Sequence, residues 1–316
     1  MDMHDAIQIE NLQVTFHTPQ GSVHAVKHLT TTFKPEQITG VIGESGSGKS
    51  VMGMSILGLL PLTAGVEGKC YYKGRNLYQL EEKELRKLRG VEIGLIPQNP
   101  TASLNPMMKI SRQLKEASKY HKLAKEKVLS KRIYELLKDF GFVRPESVLN
   151  QYPFQMSGGM NQRIVSLLGL ACEPRWIIAD EPTKGLDAIV RKQVYRVLKQ
   201  IYKKNKCSMI VITHDLKLAY HLCHEIRVMY KGEIVEQGPC KKVMENPRHP
   251  YTKGLLAAMP ENGLKAIIKV DESVEENRSS CPFYNRCKEA TSGCEYQYMQ
   301  DFAVEADIKV RCFLYA

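Results

Sequence analysis

An α/β fold with a mainly parallel core sheet is predicted by three observations. Apolar runs of strand length alternate with helical patterns through most of the chain. One such run, "QITGVIG", opens into the loop "GESGSGKS" and then the helical "VMGMSILGLL". Two others, "RWIIADEPT" and "SMIVITHD", end in acids or a histidine. Alternation of this kind sets strands parallel and gathers chemistry at their carboxyl ends. With 316 residues the chain has room for one large domain and an appendage, since single cores stop growing near ~250–300 residues.

The elements follow in order. Residues 7–42 read as β-rich, with "IQIENLQVTF" and "AVKHLTTTF" flanking a turn at "TPQGS". Gly43 to Ser50 is then G-x-x-x-x-G-K-[ST] between strand and helix, the context in which that pattern binds phosphate. Gly43, Gly46 and Gly48 let the backbone wrap closely around a polyphosphate. The amides of Glu44, Ser45 and Ser47, and the helix N-terminus through Val51, face its oxygens. Lys49 reaches the terminal phosphates, and the Ser50 hydroxyl ligates Mg²⁺.

A short strand in "IGLIPQNP" places Gln98 where its side chain can meet both magnesium and water, a weak signal on its own. From about residue 103 to 157 the alternation breaks and the period is helical, as in "SRQLKEASKYHKLAKEKVLSKRIYELLKDF". "QMSGGMNQR" follows, a serine and two glycines that expose a helix N-terminus to a phosphate. Because the chain already has one phosphate loop, a second anion site implies a second nucleotide, held by another subunit. "RWIIADEPT" ends in two carboxylates: Asp180 suits magnesium through its water shell, and Glu181 suits polarising a water for in-line attack on a γ-phosphate. His214 closes the next strand, where a neutral imidazole can bridge phosphate and water; alone, such a histidine is more often a satisfied structural residue.

In this order and spacing, GESGSGKS, PQNP, SGGMNQR, IIADEP, GLD and ITHD resemble the ATP-binding subunit of an ABC transporter, over about residues 7–260. The resemblance implies an ABC-type P-loop NTPase fold, with a β-rich N-terminal subdomain and a helical subdomain at about 103–157 that meets membrane subunits. Its cofactors are ATP and Mg²⁺, the latter held by Ser50, Gln98 and Asp180. Glu181, His214 and Gln98 form the catalytic set. Two such domains pair head to tail, so Ser157, Gly158, Gly159 and Gln162 serve the partner's ATP and Asp187 touches the opposite subunit. Phe16 matches the position that stacks on adenine; as an alternating strand residue it serves equally as core.

"NPRHPYTKGLLAAMP" is similar to the HPYT segment of the oligopeptide, dipeptide and nickel importer branch, and "LRGVEIGLIPQNPTASLNP" looks like the first of that branch's two unlike ATPases. A second homologous ATPase subunit, two membrane-spanning permeases and an extracellular solute-binding protein are thereby implied, with this chain peripheral on the cytoplasmic face of the cell membrane. Asn161, Lys184 and Gly185 depart from the usual residues and leave the solute open. An exporter ATPase shares every core motif, and only the HPYT-like extension argues against it. An ABC ATPase acting on nucleic acid or ribosomes fits the net charge of +11. Such chains carry a coiled-coil insertion or two ATPase domains, neither of which is visible, so no nucleic-acid partner is expected.

The N-terminal stretch lacks the apolar core of a signal peptide, and "VMGMSILGLLPLTAG" is interrupted by proline and shorter than the roughly 20 residues of a membrane helix. Thiols are therefore expected in a reducing compartment, where they bind metals more often than they pair. Residues 261–316 are expected to form a small cysteine-containing extension, beginning with the linker-like "ENGLKAIIKVDESVEENRSS". Cys281, Cys287, Cys294 and Cys312 follow as C-x5-C-x6-C-x17-C. Structural zinc sites usually pair cysteines more closely, so this spacing fits zinc poorly and leaves room for a larger cluster; isolated thiols are the plain alternative. Members of the importer branch with this tail hold a [4Fe–4S] cluster, which the resemblance implies here, with zinc as the alternative. Cys70, Cys172, Cys207, Cys223 and Cys240 read as ordinary thiols.

Overall fold

The structure is a computed structural model that describes residues 3–123, 125–258, 281–296 and 300–316. The expected linker at 261–280 lies outside the described residues. Strands β1 (Ile7–Thr18) and β2 (Gly21–Phe33) form the antiparallel hairpin read from the sequence, turning at Pro19 and Gln20. Ile7, Ile9, Leu12 and Val14 of β1 are buried; a bulge at Asn11, with φ 49°, resets the alternation so that all four face inward.

Next come β3 (Ile38–Ile42), α1 (Lys49–Ile56), β4 (Ala64–Tyr72), β5 (Arg75–Asn76), α2 (Glu82–Leu88) and β6 (Ile93–Ile96). The helical stretch contains α3 (Pro100–Ser103), α4 (Ile110–Tyr120), α5 (Glu126–Asp139), α6 (Pro145–Leu149) and α7 (Gly158–Leu170). The chain then alternates β7 (Trp176–Asp180), α8 (Ala188–Asn205), β8 (Ser208–Ile212), α9 (Leu216–Leu222), β9 (Glu225–Tyr230) and β10 (Glu233–Pro239). It continues with α10 (Cys240–Glu245), α11 (Pro250–Ala257), α12 (Gly293–Tyr296), β11 (Phe302–Glu305) and β12 (Ile308–Val310).

Two sheets result. The smaller is antiparallel, in the order β2-β1-β4-β5, and the larger runs β11-β12-β10-β9-β3-β8-β7-β6. Pairings from β9 across to β6 are parallel; those from β9 to β11 are antiparallel. Strands β3, β7 and β8 are buried along their whole length, as expected of parallel strands covered on both faces. Alternate residues serve different cores. Ile177, Ala179, Met209 and Val211 pack with the helical stretch, whereas Ile178, Ile210 and Ile212 pack with α1 and the small sheet. Buried Arg227 on β9 ties the sheets together: it donates to Thr31 Oγ1 (3.0 Å) and the Thr32 carbonyl (3.0 Å) of β2, and to Glu225 (2.7 Å).

Strand β12 pairs with β10, Glu236 opposite Val310, so the cysteine-bearing extension continues the core sheet at its edge. Among the described residues no helix is long and apolar enough to cross a membrane.

Candidate nucleotide-binding site

The parallel register of β3, β8, β7 and β6 brings the chemistry-bearing residues to one end of the sheet. The phosphate loop leaves β3 there. Gly48 has φ +93° and a Cβ on it would lie 2.4 Å from the Ala25 carbonyl, so this position tolerates only glycine. At Gly43 a Cβ would sit 2.1 Å from the Met229 carbonyl. The loop is thus pressed between β2 and β9. Lys49 Nζ donates to the carbonyls of Gly43 (2.9 Å) and Glu44 (2.6 Å) and to Ser47 Oγ (3.2 Å). Burial pulls the Lys49 ammonium below its ordinary pKa, while the charges of Glu181, Asp180 and Glu44 act against that fall.

Ser50 Oγ donates to Asp180 Oδ1 at 2.9 Å, joining the helix after the loop to the end of β7. Asp180 is raised above the usual carboxylate range, first by burial; the Ser50 hydrogen bond lowers it, neighbouring Glu181 raises it, and Lys49 and Lys184 oppose the rise. This pair of hard oxygens fits a magnesium ion. Glu181 is buried, with φ 48°, an uncommon left-handed backbone for a residue of its size, and its N–H donates to the Ile212 carbonyl (2.8 Å). That backbone anchor turns its carboxylate toward β8, where Oε2 lies 2.7 Å from His214 Nδ1. Thr213, one residue earlier, is held by its N–H on the Val41 carbonyl of β3. Gln98 leaves β6 beside the end of β7, since Ile96 pairs with Ala179, and it is half-buried. The loop after it is stiffened by buried Gln113 of α4, which donates to the carbonyls of Asn105 (3.0 Å) and Met108 (2.7 Å).

Ser157 caps α7, its hydroxyl accepting from the Met160 N–H (3.3 Å), and Ser157 and Gly158 are exposed at that helix start. Gln162 is buried, one turn further along, so its side chain faces the protein interior. Asn161 donates to the Pro153 carbonyl (3.0 Å) and fixes the turn before the signature. Asp187 caps α8, accepting from the N–H groups of Ile189 and Val190 (both 2.9 Å). Gly185 has φ +71° with open space around it, and Lys184 lines a cleft with Thr183, His214 and Asp215. Phe16 is half-buried against the core shared with α1, opposite Val23 and Ala64.

Two partners of the loop lie outside the nucleotide-binding motifs. The Tyr251 hydroxyl accepts from the Glu44 N–H (2.8 Å), and Arg286 donates to both Glu44 carboxylate oxygens (2.9 Å each). The HPYT segment was the available signal for Tyr251; it marks a branch and says nothing of a contact. His249 caps α11, its Nδ1 accepting from the Tyr251 N–H (3.0 Å), and buried Glu236 accepts from the N–H groups of Arg248 and His249.

Of the cysteines, Cys281, Cys294 and Cys312 are buried and Cys287 is half-buried. Burial pushes Cys281 up to about 12 and Cys312 up to about 11, and the four lie close enough for their charges to act on one another. Among the described residues no three His, Cys, Asp or Glu side chains are placed to hold a single metal ion.

The ABC transporter family matches residues 26–184, and the oligopeptide/dipeptide transporter C-terminal region matches residues 235–294. The dipeptide transport ATP-binding protein DppD of Bacillus subtilis (strain 168) is 37% identical, over 99% of this chain and 95% of its own. The oligopeptide transport ATP-binding protein OppD of the same organism is 40% identical over 80% of this chain and 72% of its own. The ATP-binding cassette MJ0796, solved as a post-hydrolysis dimer bound to ADP and Pi, aligns with 74% of this chain and 98% of its own, at a TM-score of 0.67 and 27% identity. The nucleotide-site geometry and these likenesses converge: the chain belongs to the ABC transporter ATP-binding proteins, in their oligopeptide/dipeptide branch.

Proposed function

We propose that this chain is the ATP-hydrolysing motor of an importer for peptides or related solutes, peripheral on the cytoplasmic face of the membrane. In this reading residues 1–260 are the ATPase, with its helical subdomain at about 103–157, and residues 261–316 are an extension. The observation that carries the chemistry is the meeting of Ser50 with Asp180 and of Glu181 with His214 at one end of the sheet. Ser50 and Asp180, with Gln98, would hold Mg²⁺, which when bound neutralises charge on the phosphates. Glu181 accepts the proton of the attacking water, and His214, 2.7 Å from it, aligns that water with the γ-phosphate. Lys49 offsets charge as the terminal phosphate departs.

Partners follow from surfaces that one chain leaves open. Ser157 and Gly158 present an exposed helix start suited to the ATP of a second, homologous ATPase subunit, near which Asp187 would also lie. Exposed Met107, Val143 and Phe154 on the helical stretch suit two membrane-spanning permeases, fed by an extracellular solute-binding protein. Glu181→Gln should retain ATP binding and lose about 10²–10⁴-fold of turnover in the assembled complex; unchanged turnover would refute the assigned role.

The four C-terminal cysteines are proposed to hold a [4Fe–4S] cluster, which would staple a segment whose separate small core, among the described residues, is Ile308, Val310 and Cys312 with Val304 and Tyr315 packed against it. Iron and acid-labile sulfide should both be found in anaerobically purified protein. Stoichiometric zinc without iron would overturn this assignment.

A further inference from the structure

The second residue of the phosphate loop carries a carboxylate at a place where a polyphosphate must approach. Glu44 is not an ordinary surface acid. Arg286 Nη1 donates to its Oε2 and Nη2 to its Oε1, both at 2.9 Å, the paired geometry in which guanidinium and carboxylate match best. The same guanidinium is held from the other side: Nη1 donates to the Tyr230 hydroxyl (3.3 Å), and the group lies 5.5 Å from the ring centroids of both Tyr230 and Phe283. Phe283 is buried against Tyr230 and Tyr251. Below the pair, Tyr251 fixes the Glu44 N–H. Arg286 is 19% exposed and Glu44 34%, so the pair is partly shielded from solvent screening.

Three carboxylates, those of Glu181, Asp180 and Glu44, act on Lys49. Two of them have work to do on water and metal. The third would only repel phosphate, unless it is neutralised and turned away. We propose that Arg286 is a positioning residue of the nucleotide site, neutralising Glu44 and holding it behind the loop, so that the cysteine-bearing segment sets the affinity for ATP. This rests on reading Gly43 to Ser50 as the ATP loop, and it concerns the chain's own residues whatever the cysteines bind.

The test uses the full purified chain, titrated with ATP and Mg²⁺. Arg286→Met should weaken ATP binding by about fivefold, as expected for an unpaired, partly buried carboxylate beside an anion. In the assembled complex it should raise KM for ATP by a similar factor with little change in kcat. Adding Glu44→Gln to Arg286→Met should return binding to within about twofold of the parent, because an amide needs no counter-ion. A purely structural tie would show no such rescue. Should Arg286→Met fail to fold, Arg286→Gln, which can still donate to Glu44, carries the same expected loss and the same rescue. Parent-like ATP binding in the Arg286 variant, or a double variant as weak as the single, would overturn the proposal. Lys49→Ala separates the two levels: if it too binds ATP normally, the loop assignment itself fails.

Discussion

His249 shows how one buried residue makes stability depend on pH. Its Nδ1 accepts from the Tyr251 N–H, so the ring is neutral, and burial drops its pKa from 6.5 to about 3. Nearby Lys253 pushes the same way, and a hydrogen bond with the Arg311 backbone opposes both. Because the folded value is depressed, the unfolded chain takes up the proton first as pH falls. The contribution is complete above about pH 6.5 and lost progressively toward pH 3, by up to ~1.4 kcal/mol per pH unit. His249→Asn keeps a capping side chain and removes the titration, so urea midpoints between pH 4 and 6 should vary less steeply than in the parent. Lys49, Ser50, Asp180, Glu181 and His214 were legible in the sequence because each lies within two residues of the end of an element whose type its neighbours dictate. Tyr251 and Arg286 were not, since their contacts with Glu44 span 207 and 242 residues and depend on how separate elements pack. Gln162 illustrates a subtler loss: the signature motif orders residues along a helix, and burial decides which of them face outward.

At the scale of elements, capping gives Asp187, proposed above to lie near a second subunit, a role in the single chain as well. Asp187 is bound to the first turn of α8, an 18-residue helix, by two N–H donors. Asp187→Ala should therefore cost about 0.5–2 kcal/mol in the isolated chain, before any partner is present, and Asp187→Ser should recover most of it. Equal stability of all three in urea titrations would show that the cap contributes nothing. That the core sheet is mainly parallel was readable from alternating apolar runs. The placement of β12 against β10 was not, because a three-residue strand carries almost no periodic signal and its pairing is selected by an open edge. The four cysteines drew attention to this segment for their metal chemistry, while its contribution to the sheet came from Ile308 and Val310, which are fully buried.

On the scale of the whole molecule, the large sheet has a core on each face and an antiparallel edge closed by residues far along the chain. Removing residues 300–316 should leave β10 with unpaired backbone groups, an edge that invites pairing with another copy. Light scattering on warming should then show association earlier than in the full chain; identical scattering would mean that β12 protects nothing. The Arg286–Glu44 pair has a consequence in time as well as in space. Since 242 residues separate the partners, and chains grow at ~5–20 residues per second, the phosphate loop exists for roughly 12–50 s of synthesis before its counter-ion can reach it. A newborn chain thus carries its loop acid unneutralised until the cysteine segment arrives, and acquires full grip on nucleotide only as its last elements settle.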